Sequence, residues 1–122
     1  MQHAASAYAK VSREALSPRE LEASLLIKSA AKLQAISDDF HNRRHELDSA
    51  LTFNRKLWTV LSTSATEADN PLPQETKQNI ANLALFIFKR TFAFTSESGP
   101  DSLAILIKIN RDLAAGLRAG AV

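Results

Sequence analysis

From Leu21 onward, apolar residues recur along this chain at spacings of three and four. Leu21, Leu25, Ser29, Leu33, Ile36 and Phe40 share one side of a helix with a 3.6-residue period, while Glu20, Gln34 and Asp38 fall opposite, together with Ile27. A polar patch, SDDFHNRRHE, precedes a second series, Leu47, Ala50, Leu51, Asn54, Trp58 and Leu61. The pattern leaves open whether the chain breaks at that patch or runs on. A third series, Ile80, Leu83, Ala84, Ile87, Thr91 and Phe94, has a neighbouring stripe of Leu85, Phe88 and Phe92, so its apolar arc is about 200° wide. Leu103, Leu106, Ile107, Asn110, Leu113, Ala114 and Leu117 mark a last helix. Nowhere does a two-residue alternation suggest a strand.

The punctuation agrees with these limits. Ser17-Pro18-Arg19-Glu20 reads as a helix start: the serine oxygen can cap free amides, proline suits the first helical position, and Glu20 can reach back. TSATEADNPLPQ, with two prolines and no period, is the clearest loop, where the chain reverses. Gly99-Pro100 opens the last helix, which ends near Gly116 or Gly120. The expectation is an all-α fold, a compact bundle of four principal helices plus a short N-terminal helix over Ala4 to Leu16, forming a single helical domain across residues 1–122.

Composition narrows the function more than the fold. The 122 residues suit one domain on a scale of roughly 100 to 200 residues. Fifteen bases against thirteen acids leave a charge of +2, too small to argue for nucleic acid. With no cysteine, there is no disulfide, thiolate zinc site or catalytic thiol. The start, MQHAASAYAKVSREAL, lacks the pattern of a secretory signal, and no later run of about 18 apolar residues could span a bilayer. A cytoplasmic protein with no membrane partner is expected.

Few residues carry candidate chemistry. Asn54 and Asn110 each interrupt an apolar stripe, where an unpaired buried amide would cost about 1 to 3 kcal/mol, so both need partners, in each other or in Thr91. They read as a structural polar core that fixes helix register. His41 and His45, four apart with Asp38 a turn earlier, resemble a ligand set, but Arg43 and Arg44 between them oppose a dication and no metal is expected. Three dibasic pairs, Arg43-Arg44, Arg55-Lys56 and Lys89-Arg90, invite a phosphate-binding reading, which the absence of any RNA-binding signature weakens. No nucleophile elbow, phosphate loop, dinucleotide fingerprint or paired carboxylates occur, so neither an enzyme nor a cofactor is expected.

The surplus apolar surface is more informative. A bundle helix needs a stripe a little over about 100° wide, and the QNIANLALFIFKRTF segment offers nearly twice that. Either this helix is central and touched by two neighbours, or Leu85, Phe88 and Phe92 line a groove for another chain's amphipathic helix. Phe53 and Val60 pose the same choice on their own helix.

SPRELEASLLIKSAAKLQAI, ALTFNRKLW, DNPLP, QNIANLALFIFKRTF and INRDLAAGLR, in that order, resemble the flagellar biosynthesis regulator FlaF of alphaproteobacteria. The resemblance covers about Ser17 to Arg118 and is weak over the first sixteen residues. It implies a factor of flagellum assembly that binds flagellin as a chaperone or regulator of its production and secretion, in balance with the antagonist FlbT. The family brings no catalytic motif, so the expected flagellin groove rests on the residues: Leu85, Phe88, Phe92 and Phe53, with Lys89, Arg90, Arg55 and Lys56 at its rim to steer acidic segments. The alternatives are a post-transcriptional regulator touching flagellin mRNA directly or with FlbT, and an interaction module whose partner is FlbT or a second copy in a homodimer.

Overall fold

The computed structural model describes residues 18–120; the short helix expected over Ala4 to Leu16 and the cap expected from Ser17 lie outside them. The chain forms α1 (Pro18–Asp38), a short α2 (Phe40–Arg43), a 3-10 turn (Arg44–Glu46), α3 (Leu47–Thr66), α4 (Gln74–Phe92) and α5 (Asp101–Ala119). No strand occurs among the described residues, and none of their helices is long and apolar enough to cross a membrane.

The polar patch is a break. Asp39 leaves the helical region (φ −138°, ψ 51°), its side chain accepts a hydrogen bond from Asn42 Nδ2 at 2.9 Å, and its carbonyl accepts one from the Arg43 amide at 2.9 Å. The next loop is shorter than the sequence implies, because α3 runs on to Thr66. Its hydroxyl residues tolerate the helix by bonding back to it: Thr59 donates to the Arg55 carbonyl at 2.9 Å, Thr63 to that of Thr59 at 2.8 Å and Thr66 to that of Ser62 at 2.9 Å. Asn70 then closes the turn, accepting from the Leu72 amide at 2.9 Å and donating to the Ser64 carbonyl at 3.0 Å, which holds Leu72 against the core. At the far end α5 stops at Gly120, whose φ of 66° is the left-handed conformation that glycine adopts without a Cβ clash.

The close helix pairings are α1 with α5, α3 with α4, and α1 with α3, while α4 meets α5 only sparsely. Small side chains explain the tightest of them: Ala23 and Ala30 on α1 and Ala114 on α5 are all essentially inaccessible, which lets the two backbones approach. This also corrects the face assigned to α1. Its buried side carries Ala23, Leu26, Ser29, Ala30, Leu33 and Ile36, leaving Leu25 half-buried and Leu21 exposed. A pattern of large apolar residues does not register alanines, so it misplaces a helix that packs through them.

On the same helix Glu22 is half-buried. Loss of water around it pushes its carboxyl above the ordinary range, partly opposed by the charge of Arg19.

Candidate functional site

Asn54 and Asn110 are fully buried and bonded to each other. The orientation starts at Trp58, whose indole N–H can only donate: it bonds Asn110 Oδ1 at 2.9 Å. That turns Asn110 Nδ2 toward Asn54 Oδ1, at 2.7 Å, and within 3.5 Å of the Leu26 carbonyl. Asn54 Oδ1 accepts a second bond, from Ser29 Oγ at 2.8 Å. Asn54 Nδ2 is left with no partner among the described residues. The network therefore ties α1, α3 and α5 together through a directional chain, at the cost of one orphan donor. Thr91 does not join it, donating instead to the Ile87 carbonyl of its own helix at 2.7 Å.

The first dibasic pair is also internal. Arg43 forms a two-pronged pair with Glu46, Nε to Oε2 at 2.7 Å and Nη2 to Oε1 at 2.8 Å. The hydrogen bond from Arg43 holds the Glu46 carboxyl below the usual carboxylate range, and the same bond raises Arg43. Arg44 crosses to the loop between α4 and α5, donating to the carbonyls of Ser98 and Thr95, each at 3.1 Å, and to that of Ser96. Its guanidinium also lies 5.2 Å from the Phe40 ring centroid. One planar cation thus gathers three carbonyls of the loop, of which that of Thr95 also accepts from the Ser98 amide at 3.1 Å. Lysine cannot span them, so Arg44→Lys is expected to speed amide exchange across residues 95–98 and lower stability by roughly 1 to 2 kcal/mol; unchanged protection by NMR would remove this role. His41 and His45 are exposed, and no group of three or more potential ligands gathers among the described residues.

The surface on α4 has a different character. The helix buries Thr76, Ile80, Ala84 and Ile87 and has one close neighbour, α3. Its second apolar stripe is consequently open to solvent: Leu85 is 54% and Phe92 82% exposed, whereas Phe88 is half-buried and packed against the core. Beside them a shallow cleft of about 370 Å³ follows the α3–α4 seam, lined by Ser62, Thr63 and Thr66 on one side and Ala81, Ala84, Leu85 and Phe88 on the other. It continues toward the connecting loop through a second hollow of about 230 Å³ that shares Thr66 and Ala81.

Not every residue expected at this groove lies there. Phe53 points toward α1, with Lys32 Nζ 4.6 Å and Lys28 Nζ 5.8 Å from its ring centroid, roughly half a helical turn away from Ser62 and Thr66. Val60, 65% exposed, stands near Phe53 on the same helix and not on the seam. Arg55 shares the face of Ser62 and Thr66 by helical spacing, Lys56 flanks it, and Lys89 follows Leu85 by one turn. Arg90 belongs to the opposite flank of α4, where its guanidinium lies 5.9 Å from the centroid of Phe86, itself 40% exposed.

Two features of the surface escaped the sequence reading. The α3 wall, made of serine and threonine, reads as polar, yet Ser62, Thr63 and Thr66 spend their hydroxyls on backbone carbonyls. That wall offers a partner mostly carbon. In addition, the sparse contact between α4 and α5 leaves a cleft of about 430 Å³ lined by Thr76, Asn79, Ile80, Leu83, Ile109 and Leu113, among others. Leu83 belongs to the apolar stripe of its helix, but Ile109 falls outside that of α5, so periodicity alone gave little sign of it.

The family model described as "Flagellar protein FlaF" matches residues 4–117, and so reaches well ahead of Ser17, at which the motif resemblance begins. No curated protein and no solved structure matches the chain.

Proposed function

The chain belongs to the FlaF family of flagellar proteins, and from that premise we propose that it is a non-enzymatic assembly factor that binds flagellin before export, in the cytoplasm, covering an amphipathic segment that would otherwise polymerise prematurely. The observation that supports this reading is the exposure of Leu85 and Phe92 beside the concave seam of α3 and α4. Such a surface is matched to a helix that carries its own apolar stripe and lacks a partner until it is in the filament.

The test is calorimetric titration of purified flagellin into the protein and into its Leu85→Asp and Phe92→Asp variants. Both side chains are largely outside the core, so helical content should persist, while affinity should fall about tenfold or more for each if they are central contacts. Phe88→Asp is a poorer probe because Phe88 packs on the core. Unchanged affinity in both variants would remove the site.

Control of flagellin mRNA, directly or with FlbT, has less support. Arg43 is held by Glu46 and Arg44 by loop carbonyls, so that of the three dibasic pairs Arg55-Lys56 and Lys89-Arg90 are left for phosphates. A steep loss of RNA affinity with salt would revive that reading.

A further inference from the structure

Resting on the α3–α4 docking reading, we infer that the groove is electrically polarised along its length and so fixes the direction in which a partner helix lies. From residues 49 to 66 and from 76 to 96 the chain has no acid. Arg55, Lys56 and Lys89 stand at the end of the seam near Phe88 and Phe92. The other end, at the connecting loop and the first turn of α4, carries the exposed acids Glu67, Asp69 and Glu75. None of these acids lines the hollow at that end, whose one charged lining residue is Lys77, with its Nζ donating to the Glu67 carbonyl at 3.1 Å; three acids around this one base leave the rim there with a formal surplus of negative charge. The next acids along the chain beyond the basic end are Asp48, about two turns before Arg55, and Glu97, in the loop after α4.

Between the two ends the floor is made of Ala81 and Ala84, and the α3 wall has its hydroxyls turned inward. The hydroxyl hydrogens in the middle are committed to helix carbonyls, which leaves only weak acceptors for a partner. Apolar contact therefore provides adhesion with little preference between the two directions, and end charges decide between them. The occupant this fits is an amphipathic helix with an acidic end and a basic end, the acidic end over Arg55, Lys56 and Lys89. A convex helix suits a concave seam better than a second copy does, although a two-fold-related copy would also set opposite charges face to face.

Two designed peptides of 18 residues test this, sharing one leucine stripe and carrying glutamates at one end and lysines at the other in opposite chain order. A nitroxide is attached at the acidic end of each, and paramagnetic broadening is read in NMR spectra of the full chain. Both peptides should broaden amides near Arg55 and Lys89 and spare those near Glu67 and Glu75, so that they bind in opposite chain directions. The Lys56→Glu, Lys89→Glu double variant should weaken each about three- to tenfold at low salt, with the difference shrinking as salt is raised. Broadening at both ends would overturn the polarity while leaving the groove intact. Binding indifferent to Leu85→Asp would instead overturn the docking reading itself. A concentration-dependent dimer that Leu85→Asp dissociates would assign the seam to a second copy and overturn both.

Discussion

Asn110→Leu is expected to cost about 2 to 3 kcal/mol of unfolding free energy, and Asn54→Leu about 1 kcal/mol less, although the two asparagines are equally buried and bonded to each other. The asymmetry follows from the direction of the network. Removing the Asn110 amide strands the Trp58 indole N–H, which has no second acceptor, and takes one of two donors from Asn54 Oδ1. Removing the Asn54 amide eliminates the orphan Nδ2 along with its partners' acceptor. Ser29 can then turn its hydroxyl to its own helix, and Asn110 keeps its approach to the Leu26 carbonyl. Trp58 is the single tryptophan, so urea unfolding followed by its fluorescence reads the effect directly. Against a total stability of roughly 5 to 15 kcal/mol the loss is large. The double variant should cost less than the sum of the singles, because the members share bonds. A more damaging Asn54→Leu would show that the chain of donors does not start at Trp58.

The parts of the fold legible in the sequence were those written in large apolar side chains. Leu47, Leu51, Trp58 and Leu61 are buried as their spacing predicts, as are Leu103, Leu106, Leu113 and Leu117. The buried face of α1 differs from its sequence pattern because Ala23, Leu26 and Ala30 make its contacts, while Leu21 and Leu25 continue the spacing of Leu33 and Ile36 with larger side chains on a less buried side. The excess width of the α4 stripe was legible, and its cause is now physical: a helix with one close neighbour cannot cover both flanks. What the sequence could not supply was the side of α3 on which Phe53 falls relative to α4, since periodicity gives faces and not the neighbours they meet. Arg44 illustrates a further limit. Adjacent arginines in a polar patch look solvated, and only the return of the chain some fifty residues later brings carbonyls to one of them.

The groove and the core depend on separate pairings. The α3–α4 seam bears the exposed apolar residues, while the polar network and the tightest packing lie among α1, α3 and α5. Substitutions at Leu85 or Phe92 should therefore change binding without changing stability, and substitutions in the other set should do the reverse. This separation is what makes the binding tests interpretable.

Ala114→Leu should be the most damaging single change in the chain, at about 3 kcal/mol or more. Asn110 approaches Leu26 and Arg118 approaches Ser24, so the antiparallel register of α1 and α5 places Ala114 between those levels, across from the turn that holds Ala23 and Leu26. Three added carbons have little room where Ala114 itself, Ala23 and Leu26 are all inaccessible. Overpacking typically costs 1 to 3 kcal/mol, and more when a rigid helix must move. Here displacement of α1 would also stretch the bonds by which it joins the polar network, from Asn110 to the Leu26 carbonyl and from Ser29 to Asn54. The melting temperature should fall by roughly 10 to 20 °C for a domain of this size. Ala115→Leu, on the exposed side of the same helix, should change stability by less than about 0.5 kcal/mol, which controls for the helix propensity of leucine. Equal melting temperatures for the two variants would mean that α1 and α5 are not held together through their small residues.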